Sequence, residues 1–206
     1  MKDSRTLAVM GMVAIVALAK ICFAGGAGQQ AAVVAAQEKA APAATAQPDM
    51  SPVANPVSSA VKSQIARFGK NMAAAAEAMP AEKYSYKPTA EMNTYGHLMM
   101  HIAQSNNLFC SKLAGQTAPD VKMAETDGKD KLVAAVKDSF AYCSTALANA
   151  DDTKLSEALL VFGNRPTSRG ALFVILASSW TDHYATQAMY LRLNGILPPT
   201  AQPKKD

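Results

Sequence analysis

The sequence predicts an all-α fold: a four-helix bundle preceded by a signal peptide and a disordered Ala/Pro/Gln-rich spacer. Three observations predict it. Half of the 206 residues are hydrophobic, yet only 6% are aromatic and alanine is abundant, a mixture that suits close-packed helices better than stacked sheets. Apolar residues recur at helical spacing through four long segments. Between those segments no stretch of the domain alternates with period two for long enough to make a strand. The length leaves room for one ordinary domain with appendages, not two full domains.

The first segment reads as an address. Lys2 and Arg5 precede an apolar run from Leu7 to Ala19, which Lys20 interrupts. A comfortable membrane span takes roughly 20 apolar residues, so the run suits a secretory signal better. Cys22 and Ala24 stand at the −3 and −1 positions of a cleavage after Ala24, giving a signal peptide over residues 1–24. An uncleaved anchor is the second choice and would be the chain's one tie to a membrane. Lipidation of Cys22 is disfavoured by its neighbours Ile21 and Phe23. Residues 25–55 then turn to Ala, Gln, Pro and Gly, punctuated by Pro42, Pro48 and Pro52. Such a stretch buries too little apolar surface to offset its conformational entropy. The domain is expected over residues 56–202, with a short tail over 203–206.

Each helix has its own stripe. In the first, Val57, Val61, Ile65, Phe68, Met72 and Met79 share a face, and Pro80 closes it. The second runs from about Glu91 to Ala114 with Tyr95, Leu98, Met99, Ile102, Phe109 and Leu113 inward. After a polar loop with Pro119 and Gly128, the third runs from about Lys129 to Ala150 on Leu132, Val136, Phe140, Cys143 and Leu147. Residues Asp151 to Leu160 suggest a short turn of helix. The last helix starts near Thr167 or Ser168, either of which can cap it, and stops at Gly195 before Pro198-Pro199. Its first half, Ala171 to Ala177, is apolar on nearly every side, which predicts the most buried helix.

The net charge of +4 comes from scattered lysines and arginines. There is no basic stripe and no interleaving of basic and aromatic residues, so a nucleic-acid partner is not expected. Bundles of this type often pair through their helices, which leaves a homodimer open.

All three histidines lie on two predicted helices, His97 and His101 on the second and His183 on the last. Histidines four apart project from one helix face and can share a metal. At about 100° per residue, His101 lies roughly 105° and His97 roughly 145° from the centre of the apolar stripe. His101 thus stands at the edge of the buried face, while His97 is expected to look outward as a solvated residue. His183 shares a stripe with Leu172, Ile175 and Ser179 and points inward. A lone histidine on an apolar face is more often a satisfied core residue than a ligand, but His101 on another helix supplies a second inward candidate. Catalytic metal sites normally use three protein ligands with one open position. One turn before His183, where a further ligand would stand, the residue is Ser179, whose neutral hydroxyl is a poor donor. Asp182 lies roughly 100° away around the helix.

Cys110 and Cys143 remain if Cys22 leaves with the signal. They fall on or near the buried faces of the second and third helices. Two inert buried thiols are the commoner outcome in a helical core, but export favours a disulfide between them.

The segment Thr94-Tyr95-Gly96-His97-Leu98-Met99-Met100-His101-Ile102-Ala103, followed by Phe109-Cys110, resembles the second helix of the DinB-like (DinB/YfiT) superfamily. So does Asp182-His183-Tyr184 with the tail from Tyr190 to Pro199, and the stretch from Met79 to Pro88 resembles that family's first loop. The resemblance covers residues 56–202. It implies a four-helix bundle holding a divalent metal, often zinc or nickel, by three histidines. One comes from the second helix and two, four apart, from the fourth. These positions match His101, Ser179 and His183, so the middle ligand is missing. Enzymes of the family include thiol-dependent transferases and isomerases. The expectation is an exported protein, periplasmic or extracellular, with a binding or scaffold role and a degenerate or weak metal site at His101 and His183, with His97 or Ser179 as auxiliary donors. The alternative is a metal-dependent transferase or hydrolase.

Overall fold

The computed structural model describes residues 49–163 and 165–203. The expected signal peptide, most of the spacer and the end of the tail lie outside them. Contacts divide the chain between Met50 and Ser51, and the described helices all belong to the second unit. They are α1 (Pro56–Ala78), α2 (Tyr95–Ala114), α3 (Lys129–Ala146) and α4 (Arg169–Leu193). None is long and apolar enough to cross a membrane.

The helices pack in a ring. α1 lies against α3 and α4, and α2 lies against the same two. Each therefore contributes its apolar stripe to one core, in which Met72, Tyr95, Met99, Ile102, Leu132, Leu172, Leu176 and Trp180 are fully buried. Trp180 is the largest of them, its ring 6.0 Å from Phe68 of α1 and 5.6 Å from Phe140 of α3. Its indole nitrogen donates to Asn106 Oδ1 at 2.7 Å. The Asn106 amide in turn donates to Ser139 Oγ at 3.0 Å, and that hydroxyl donates to the Val136 carbonyl. Buried polar groups must find partners or cost about 1–3 kcal/mol each, and this relay satisfies three residues from three helices at once.

A disulfide joins Cys110 of α2 to Cys143 of α3, with Cα atoms 5.2 Å apart. It closes a loop of 33 residues in sequence. In the chain-entropy account such a loop stabilises by about 4 kcal/mol, acting on the unfolded state.

Three expectations need correction. First, β1 (Ala158–Phe162) pairs antiparallel with β2 (Arg165–Ser168), where the sequence suggested no strand and, over Asp151 to Leu160, a short turn of helix. Ala158-Leu159-Leu160-Val161-Phe162 reads as a continuous apolar run, so period two was invisible. In the fold the strand does alternate, with Leu159 and Val161 half-buried while Leu160 and Phe162 are exposed. Gly163 turns the chain with φ +63°, and Phe162 rests edge-on against Phe109, 5.8 Å away. Second, α2 begins four residues later than expected, at Tyr95, because Thr94 caps it by accepting the His97 N–H. α3 stops at Ala146 rather than Ala150. Third, the first half of α4 is not buried all round. Val174 is 61% exposed, because only two helices pack against α4 and its outer side has no partner among the described residues.

Two further caps hold the starts of α4 and α1. Ser168 caps α4 by accepting the Ala171 N–H. α1 is capped from a distance: Asp152 accepts the N–H groups of Val57 and Ser58 at 2.9 and 2.8 Å, while its own N–H donates to the Asn55 side chain. Asn55 stands at φ +51°, a left-handed conformation that asparagine tolerates better than most residues. A carboxylate at a helix N-terminus satisfies free donors and complements the macrodipole. Desolvation would raise the Asp152 pKa, but the hydrogen bonds from Ser58 and Val57, with Lys62 nearby, hold it below the ordinary carboxylate value. A depressed carboxylate pKa contributes stability that is present above the unfolded value of about 3.9 and lost as pH falls through the lower folded value. Asp152→Ala is therefore expected to lower the thermal midpoint at pH 7, and the gap to the parent should shrink below about pH 4. Thermal melts across pH check this; a gap independent of pH would refute it.

Candidate functional site

Three imidazoles form a row across α2 and α4. His97 and His101 stack nearly parallel with ring centroids 6.3 Å apart, and His101 meets His183 edge-to-face at 5.0 Å. The i, i+4 spacing on α2 puts the first two on adjoining turns. His183 is 8% exposed, whereas His101 is open to solvent on one side. Burial, and then the neighbouring His101, push the His183 pKa down to about 4. Burial, and then His97, lower that of His101. The His183 ring is therefore uncharged at pH 7, and His101 is shifted in the same direction, with its Nε2 3.5 Å from the Ser105 hydroxyl.

A third donor does not join them. Ser179 is half-buried one turn before His183, and its hydroxyl donates to the Leu176 carbonyl at 2.9 Å, a bond internal to α4. His97 is engaged elsewhere: its Nδ1 meets Glu125 Oε2 at 2.8 Å. Asp182 is exposed and acts on both rings only through its charge. Among the described residues no three His, Cys, Asp or Glu side chains are grouped as a metal ligand set. Two imidazoles and a committed neutral hydroxyl do not fit a three-histidine centre.

Residues 64–186 match the family model described as the DinB superfamily. The chain belongs to the DinB superfamily. The fold agrees with solved DinB-like structures. One from Bacillus subtilis shares 21% identity over 70% of this chain and 99% of its own, with a TM-score of 0.57. Another, from Bacillus cereus, shares 14% identity over 68% and 95%, with a TM-score of 0.58. A conserved protein of Enterococcus faecalis shares 15% identity over 66% and 96%, with a TM-score of 0.53. At such identities the likeness concerns the fold alone. No protein of curated function matches the chain significantly.

Placed in this DinB-superfamily frame, the sequence-based candidates separate into two groups. His101 and His183 are brought together, and Ser179 lies one turn from His183 without facing them as a free donor. His97 is half-buried rather than fully solvated, because Glu125 from the α2–α3 loop covers it. The sequence analysis did not identify Glu125, which is 28 residues away. Gly96 carries the signal that could have found it. A Cβ at Gly96 would stand 2.3 Å from the Glu125 carbonyl oxygen, so only glycine lets the loop press onto the first turn of α2. Gln187 was missed as well. It is fully buried, donating to the Met72 carbonyl and to Met99 Sδ, both at 3.2 Å, while its Oε1 has no hydrogen-bond partner among the described residues.

A cleft of about 320 Å³ opens beside the row, walled by His97, His101, Leu98, Met92, Thr186 and Tyr190 among others. That is the lower end of the range for small-molecule sites. Gly96→Ala is expected to destabilise the protein by about 1–3 kcal/mol through the clash with Glu125. In the same variant the His97 ring should lose its carboxylate partner. Denaturant unfolding and the His97 imidazole NMR resonances check this; a variant with parental stability and parental resonances would refute the fit.

Proposed function

We propose that this DinB-superfamily chain is an exported binding or scaffold protein whose His101–His183 pair holds a divalent metal weakly or not at all. One observation carries the reading: the two facing imidazoles have a Leu176-bound Ser179 hydroxyl where a third ligand would serve. A metal that activates water or a thiol must be firmly held with one position open. Two neutral imidazoles supply the start of such a site, and water would have to complete it.

Export is supported by the arrangement of Lys2, Arg5, the apolar run and Ala24, and by the Cys110–Cys143 bridge, since disulfides persist in oxidising compartments. Both sulfurs belong to fully buried residues. A denatured, unreduced sample of the exported protein is expected to contain no thiol from either cysteine. Finding two would remove this support.

The second reading is an enzyme, a metal-dependent transferase or hydrolase centred on His101 and His183. What favours it is the cleft lined by His101, whose ring meets the buried His183 edge-to-face. Zinc or nickel titration of the purified, chelator-treated protein separates the two. Under the first reading the parent binds less than one equivalent at micromolar metal. Ser179→His, by adding the third imidazole one turn from His183, gains stoichiometric binding that His183→Ala abolishes. Stoichiometric binding by the parent at micromolar or better affinity, lost in His183→Ala, would replace the first reading with the second.

A further inference from the structure

We propose that the outer side of α4 is the interface of a two-fold symmetric dimer, in which Asp182 of each copy meets Arg192 of the other. The inference goes beyond the binding role proposed above and does not depend on the metal.

Every exposed residue of α4 lies on one stripe, and the rest of the helix is buried or half-buried. At about 100° per residue the exposed positions fall within a band about 120° wide. Helix surfaces left to water are normally rich in charge, and the shorter α3 exposes Asp130, Lys131, Lys137 and Asp138. The α4 stripe carries only Asp182 and Arg192. It exposes Val174, Met189 and Leu193 instead, at 61%, 43% and 55%. A helix with apolar residues on all its sides is normally covered on all of them. No described segment covers this one.

The order of residues along the stripe identifies the occupant as a second copy. Asp182 and Arg192 stand five residues before and five after the level of Gln187. Ala185 and Met189 stand two residues either side of the same level, and Thr181 and Leu193 six. When two copies of α4 cross antiparallel on a two-fold axis at that level, each member of such a pair comes level with the other member in the second copy. Carboxylate then faces guanidinium twice, and the small Ala185 faces the long Met189 twice. A closed two-fold dimer requires such self-complementarity, because the same patch serves both sides. An unrelated partner would not require the stripe to match itself.

The two charges are also left over in the single copy. Asp182 and Arg192 lie about 15 Å apart along the helix, too far to pair with each other. Neither joins an ion pair among the described residues. The Arg192 guanidinium only reaches the Ala188 carbonyl of its own helix, at 3.4 Å. Opposite charges across an interface fix its register and suppress wrong partners. The overlap from Thr181 to Leu193 is about 20 Å long, a small contact that suits reversible association rather than a permanent dimer.

Analytical ultracentrifugation of the full exported chain in EDTA tests this. The mass is expected to rise from one copy to two as the concentration passes through the micromolar range, reaching two by about 100 µM. Ala185→Glu, at an exposed position, should hold the mass at one copy there, while Ala141→Glu on the exposed face of α3 leaves the dimer intact. Asp182→Arg or Arg192→Asp alone sets like charges against each other and should weaken association at least about tenfold. The double reversal, Asp182→Arg with Arg192→Asp, should restore it to within about threefold of the parent. Circular dichroism of each variant checks that helix content is kept. A single-copy mass for the parent at about 100 µM, a dimer indifferent to Ala185→Glu, or a double reversal no better than the single ones would each overturn the proposal. Because chelator is present, these outcomes are independent of the metal titration, which tests the His101–His183 reading alone.

Discussion

Asn106 accepts from the Trp180 indole and donates to Ser139, and the register of α2, α3 and α4 depends on that pair of hydrogen bonds. Trp180 is the largest side chain in the core and is wedged between aromatic rings of α1 and α3. Its N–H would be stranded in that apolar setting without Asn106, and Asn106 would be stranded without Trp180 and Ser139. Mutual satisfaction makes the arrangement specific. Rotating α4 about its axis, or sliding it by a turn against α2, breaks the Trp180–Asn106 bond and strands the indole N–H, whereas apolar contacts alone would tolerate the slip.

The remaining fastenings lie near the helix ends. The Cys110–Cys143 bridge ties α2 to α3 one turn before their C-termini. Near the same end Arg169 pairs with Glu157 and donates to the Leu113 carbonyl, closing the last turn of α2 against the start of α4. Asp152 closes the first turn of α1 from the segment after α3. The histidine row sits away from these ties, toward the N-terminal part of α2 and the C-terminal half of α4. There the α2–α3 loop, held by Gly96 and the His97–Glu125 pair, supplies the covering.

Seen chemically, the row is a set of lone pairs with one partner too few. His183 is too desolvated to take a proton near neutral pH, and His101 is lowered in the same direction. Both are suited to accept a metal or a donor rather than to carry charge. In a three-histidine centre a third imidazole would complete the geometry; Ser179 instead turns its hydroxyl into its own helix. What is left is a pair of facing imidazoles, of which His101 reaches the wall of the cleft and His183 stays buried behind it.

Periodicity made the four helices legible, because an amphipathic helix writes its buried face into the sequence at every third or fourth residue. The motif around His101 and His183 made the family and the pairing of those two residues legible for the same reason: both sit on predictable faces. Cys110 and Cys143 could be named as a candidate pair only by adding the expected export to their inward faces. The hairpin was not legible, since its alternation exists only in which side of Ala158–Phe162 the fold covers. Nor were the contacts that join distant segments, Trp180 to Asn106, Glu125 to His97 and Asp152 to the start of α1, 74, 28 and about 95 residues apart. The sequence by itself determined the helices, their inward faces and the missing third imidazole, because those depend on residue type and local spacing. Only the tertiary structure decided what each polar side chain meets, because a hydrogen bond needs two groups within about 3 Å, and no local pattern encodes where the chain brings its second partner.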